Sequence, residues 1–245
     1  MKRDDLNQHL SQISTMWTVL RQAHAGTGAE ATAAQQLLLE RYGGAVHRYL
    51  TRALGDVHAA DDLLQEFALS LVRGSFRGAD PERKRFRFYV KTVLFHMVSR
   101  HGRKQRVKPL AADSSDLANL AAPVDDDRDF DESWREQLLA RAWEGLNRSQ
   151  PLFHEVLRLR VQHPKMESAE MAEELGHRLG KSLTADGVRQ TLHRAREKFA
   201  NLLVDEVAET LEDVTIERLQ EELADLNLLD YCKPAMSRRK AAGTQ

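Results

Sequence analysis

Cysteine is nearly missing: Cys232 stands alone in 245 residues. A lone thiol excludes an internal disulfide and any multi-cysteine zinc site, and it suits a reducing cytoplasm. Long apolar runs are missing too, with none near the roughly 18 residues a membrane span needs. The opening MKRDDLNQHL carries charges and no apolar core, so no secretory signal is expected. Walker loops and HExxH pairs are absent, and the ten histidines are scattered. No metal, no cofactor, no membrane contact and no catalysed reaction are therefore expected. One enzymatic alternative stands beside this: Asp61, Asp62, Glu66 and Asp80 as a two-metal nuclease site flanking a basic groove.

Net charge is also scarce, at −1, but it hides strong segregation. Residues 73–108 hold twelve Lys/Arg against Asp80 and Glu82, a balance of +10. Residues 110–132 balance at −7 and residues 204–230 at −9. Blocks of this kind create local fields that a scrambled near-neutral chain would lack.

Strand-like alternation is absent as well, and apolar residues recur at helical spacing. The expected fold is all-α: two small helical domains joined by an acidic flexible linker, the second a helix-turn-helix domain. Residues 1–30 form an N-terminal extension whose Leu6, Leu10, Ile13, Trp17 and Leu20 predict an amphipathic helix. Residues 31–108 form the first domain. It has one stripe at Leu38, Tyr42, Val46 and Leu50, a second at Leu64, Phe67 and Leu71, and a third through Val90, Val93, Leu94, Met97 and Val98. Residues 109–132, with two prolines and DDDRDFDE, predict an unpacked linker. The second domain spans 133–204, with Ser149 before Pro151, Ser168 and Thr184 expected to cap its helices. Residues 205–245 form an acidic helical extension and a basic tail.

VRQTLHRARE, at 188–197, sits in the last helix of the second domain. Val188, Leu192, Ala195, Phe199, Leu202 and Leu203 make its apolar stripe. The opposite face is either an ordinary solvated surface or a DNA-reading surface. Helix-turn-helix order and the presence of Arg, Gln and Lys favour DNA, because these residues bond phosphates and base edges. The +10 block interleaves Phe76, Phe86, Phe88 and Tyr89 with cations, which suits single-stranded nucleic acid. Phe86 and at least one other ring are expected to be core. In HAADDLLQEF (58–67), Asp61, Asp62, Gln65 and Glu66 share a side of the helix; this is either a solvated face or a dock for a basic partner protein.

These pieces, in this order, resemble an extracytoplasmic-function sigma factor, the smallest class of bacterial RNA polymerase specificity subunit. The resemblance covers about residues 34–108 and 134–204. HAADDLLQEF is similar to the family's DAEDLVQEVF, which implies that Asp61, Asp62, Gln65 and Glu66 dock on the clamp helices of the polymerase largest subunit. FRG at 76–78, FRFYV at 86–90 and RKQR at 103–106 resemble the loop and helix that open and read the minus-ten element. That likeness implies contacts from Phe76, Arg77, Arg87, Tyr89 and Lys91, and further along from His96, Arg100, Arg103, Lys104 and Arg106. DGVRQTLHRAREKF is similar to the family's GTVKSRLHRARAKL, which implies minus-thirty-five contacts from Thr184, Arg189, Gln190, His193, Arg194 and Arg196.

The resemblance further implies partners in core RNA polymerase (clamp helices and flap) and in promoter DNA, both double- and single-stranded. It implies control by an anti-sigma factor or by a protein kinase, and a cytoplasmic, nucleoid-associated location. Here Tyr89 replaces the usual tryptophan, His96 the usual asparagine, Arg100 the frequent aspartate and Thr191 a basic residue; the connection HRLGKSLTADG is long. The alternative without polymerase is a stand-alone helix-turn-helix regulator. The acidic extension, with Ile216, Leu219, Leu223 and Leu226 on one face, is expected to fold back on the second domain. There it either screens the reading helix or merely stabilises it.

Overall fold

The computed structural model describes residue 19 and residues 29–72, 85–107, 126–211 and 214–242. The described residues form helices joined by turns, without strands: α1 (Ala29–Leu54), α2 (Val57–Val72), α3 (Phe86–Val107), α4 (Asp126–Ser149), α5 (Pro151–Gln162), α6 (Ser168–Leu179), α7 (Ala185–Ala208), α8 (Ile216–Asp225) and α9 (Leu229–Ala242). Among them no helix is long and apolar enough to cross a membrane. Residues 6–18, and with them most of the expected first helix, lie outside the described residues.

The chain divides into two compact units. One contains α1–α3, α4 as far as Gln137, and Glu209–Val214; the other contains Leu138–Ala208 and the chain from Thr215 on.

In the first unit Leu38, Tyr42, Val46 and Leu50 of α1 are all buried, as the i, i+4 spacing predicts. Gly55, at φ 65°, ends that helix in the left-handed conformation that glycine adopts without Cβ strain. On α2 the buried pair is Leu63 and Phe67, whereas the expected Leu64 is only half-buried and Leu71's side chain lies outside the described residues. Val90, Leu94 and Met97 seat α3.

The unpacked-linker expectation for 109–132 needs correction at its end, because α4 begins at Asp126. Phe130 and Trp134, one helical turn apart, are fully buried in the first unit. Trp134 stacks on Tyr42 with ring centroids 4.6 Å apart and planes 2° from parallel, and Phe130 meets the edge of Tyr49 at 5.5 Å. Burial of two large rings outweighs the disorder-favouring composition around them, and carboxylates at a helix start suit its dipole. Polar contacts fix the register. Arg48 donates to the Ser133 carbonyl and the Gln137 side chain, Arg52 donates to Ser133 Oγ, and Gln137 Nε2 donates to the Arg41 carbonyl at 2.9 Å. The indole Nε1 of Trp134 is buried with no hydrogen-bond partner among the described residues. The Trp134 side chain itself is therefore held by ring packing.

In the second unit, Leu138, Leu146, Leu159, Met171, Leu175, Val188, Leu192 and Phe199 form the core. Ser149 does not cap α5: its hydroxyl donates back to the Gly145 carbonyl, and Gln150 is the N-cap ahead of Pro151. The cap of α6 is Glu167, reciprocated by Glu170 in a capping box, so Ser168 is the first helical residue rather than the cap. Thr184 does cap α7, its Oγ1 accepting from the Gly187 N–H at 3.1 Å.

Candidate nucleic-acid interfaces

The acidic row on α2 is pinned at both ends. Asp61 accepts from His47 Nε2 at 2.9 Å, and Glu66 accepts from Arg100 of α3. Between them Asp62 and Gln65 face solvent, with Val57 and Leu69 exposed on the same helix. The nuclease alternative gains nothing from this arrangement: Asp61 and Glu66 face basic side chains, Asp80 lies outside the described residues, and no group placed to hold a metal ion occurs among those described.

The basic helix α3 sorts the expected single-strand residues into different environments. Arg87 is the main correction. Its side chain is only 1% exposed and ion-pairs with Asp131 of α4, so it holds the fold rather than offering a cation to solvent. Lys91 is mostly covered and lies 3.8 Å from the same carboxylate. Phe86 is core, as expected, and Phe88 lies half-buried under the Arg87 guanidinium, 4.4 Å from the ring centroid. Tyr89 is half-buried, and burial pushes its phenol well above the usual range.

Further along α3, His96 and Arg103 are exposed, and Arg100 is exposed while paired with Glu66. Lys104 and Arg106 lie on the helix, with side chains outside the described set; Phe76 and Arg77 lie outside the described residues altogether. Phe95 is the ring that sequence reasoning missed. It is 51% exposed and meets His96 edge-on at 6.0 Å. The signal was available: a stripe at Val90, Leu94 and Met97 turns position 95 outward.

On the second unit, the connection between α6 and α7 is shorter than the sequence suggests. His177–Leu179 belong to α6 and Ala185–Gly187 to α7, leaving residues 180–184 as the turn. Gly180, at φ 61°, makes that turn. Arg189, Gln190, His193, Arg194 and Arg196 are all exposed on α7. Arg189 pairs with Asp186, and His193 Nε2 lies 3.5 Å from Glu197. Thr191 is half-buried, its hydroxyl donating to the Gly187 carbonyl, so it belongs to the helix's own backbone network. Thr184 is exposed with its oxygen engaged as cap.

The C-terminal helices fold onto α7, with Leu219, Leu223 and Leu226 buried as expected and Ile216 half-buried. Tyr231 meets Phe199 edge-on, and Arg238 and Arg239 reach Glu197 and Asp205 of α7. The contact therefore pairs the basic tail with acids of α7. It leaves Arg189, His193, Arg194 and Arg196 of α7 exposed, so the extension does not cover the reading face within this unit.

Residues 38–107 match the family model of sigma-70 region 2. Neither the curated proteins nor the solved structures compared with the chain give a significant match. The matched span comprises most of α1, all of α2 and all of α3, the helices that bear the acidic row and the basic aromatic face. The likeness is to one region of the sigma-70 factors that act in transcription initiation, and it covers under a third of the chain.

Proposed function

We infer that the chain is a promoter-specificity subunit of the extracytoplasmic-function type, which binds core RNA polymerase and directs it to particular promoters. The sigma-70 region 2 match carries this reading, because it falls on the helices with the acidic and basic faces. Asp62 and Gln65, exposed between the pinned Asp61 and Glu66, form the polymerase-docking row. His96, Arg100 and Arg103 form the minus-ten side of α3, and the resemblance adds Lys104, Arg106, Phe76 and Arg77 to that contact. Holding an unpaired base out of the duplex calls for stacking worth about 1–3 kcal/mol per base, which exposed rings supply.

The α6–turn–α7 pair acts as the minus-thirty-five reader. Arg189, His193, Arg194 and Arg196 meet phosphates, and Gln190 reaches a base edge. The chain catalyses no reaction; the polymerase supplies the chemistry. Arg87 and Lys91 are reassigned from DNA contacts to anchors of α4.

Co-elution with purified bacterial core polymerase tests the reading. A stable complex that weakens on Asp62→Arg is expected. Duplex binding without any polymerase complex would instead indicate a stand-alone regulator.

A further inference from the structure

At 100° per residue Gln190, His193, Arg194, Glu197 and Asn201 share one face of α7. Asp186 at the helix start lies on that face and is paired with Arg189. Glu197 is the acid in the middle, one turn beyond His193 and next to Arg196 in sequence. A carboxylate there faces the same phosphates that the neighbouring cations would attract. Arg238 of α9 covers it by pairing with Glu197, while Arg239 donates to the Asn201 carbonyl and to Asp205 at 2.6 Å. The ring contact of Tyr231 with Phe199 and the burial of Cys232, Ala235 and Met236 hold α9 in this place. Arg238 itself stays 46% exposed, so its charge is not spent in an interior.

We propose that the C-terminal helix α9 is a positioning element of the DNA-reading surface, in which Arg238 neutralises Glu197 and so keeps the exposed face of α7 attractive to duplex phosphates. This rests on the DNA-reading role of α7. It inverts the simplest reading of an acidic extension: the acids of 205–225 precede α9, and the arginines of α9 do the electrostatic work. The pair is solvent-exposed, so the effect is modest and salt-sensitive.

The test uses the full chain and a labelled duplex oligonucleotide of arbitrary sequence, because the phosphate term is sequence-independent. Arg238→Ala should weaken duplex binding on the order of fivefold at low salt, with the difference shrinking as salt rises. Glu197→Gln alone should tighten binding, and the double variant Glu197→Gln with Arg238→Ala should bind about as well as the native chain, because the two losses of charge cancel. Glu197→Gln leaves α9 intact, so it reports the electrostatics even if Arg238→Ala loosens the helix.

A double variant as weak as Arg238→Ala alone would overturn the proposal, because Glu197 would then not be the charge that Arg238 offsets. No change from either variant, alongside a clear loss from Arg194→Ala, would overturn it while leaving the reading role of α7 standing. Silence of Arg194→Ala as well would remove that role and the proposal together.

Discussion

Asp131 of α4 ion-pairs with the buried guanidinium of Arg87 on α3. The pair joins residues 44 positions apart and turns a cation of the basic block into a structural anchor. An arginine buried to this degree is tolerable only with its partner in place. Removing one member of a buried pair typically costs about 3–5 kcal/mol. The Asp131 side chain keeps 30% exposure, so the lower end of that range is expected for Asp131→Ala. Chemical denaturation should show the loss in the unit that contains α1–α3.

Trp134 gives a second test of the same seat. Trp134→Ala should cost about 3–5 kcal/mol through lost burial and the cavity left behind. Trp134→Phe should retain much of that stability, because the indole Nε1 has no hydrogen-bond partner to lose among the described residues. Equal losses for both variants would show that the N–H matters after all.

Sequence patterning revealed some of this and hid the rest, for physical reasons. The stripes of α1 and α7 were legible because each buries one face at regular helical spacing, and Thr184 was legible as a cap because its bond closes three residues away. The start of α4 was not. Its composition is that of a disordered acidic segment, and only Phe130 and Trp134, partnered by rings far away in sequence, make it fold. Arg87 misled for the same reason: its charge suggested DNA, while its partner lay beyond a stretch that periodicity cannot bridge. Glu167 was hidden by the serine beside it, because serine is a preferred cap and glutamate is not, yet the reciprocal bonds with Glu170 put the cap at Glu167.

Alkaline pH should loosen the C-terminal helix of the second unit. Burial pushes the Cys232 thiol up to about 11 and the Tyr231 phenol up to about 12. Both groups are neutral when protonated, and in each the folded state holds the proton more tightly than the unfolded chain. Their contribution is fully present below the unfolded values near 9 and 10, and it is lost as pH rises through 11 and 12. For the buried thiol this is on the order of 2–3 kcal/mol. Cys232→Ala should therefore show a shallower loss of thermal stability between pH 9 and 11, and the native thiol should react slowly with alkylating reagents at pH 8.

Phe95 should matter to single-stranded DNA and not to the fold. Its ring is 51% exposed, so Phe95→Ala should leave the unfolding midpoint nearly unchanged. Loss of one stacked base should weaken binding of a single-stranded oligonucleotide by about 1–3 kcal/mol, with duplex binding through α7 unaffected. Unchanged single-strand affinity would remove Phe95 from the strand-binding face.

The most direct measurement is transcription in vitro by purified core RNA polymerase on mixed genomic fragments, with and without this chain. Start sites that appear only with the chain, and fade with Asp62→Arg or Arg194→Ala, are the expected result. Start sites that are the same with and without the chain, although it binds duplex DNA, would contradict a promoter-specificity role.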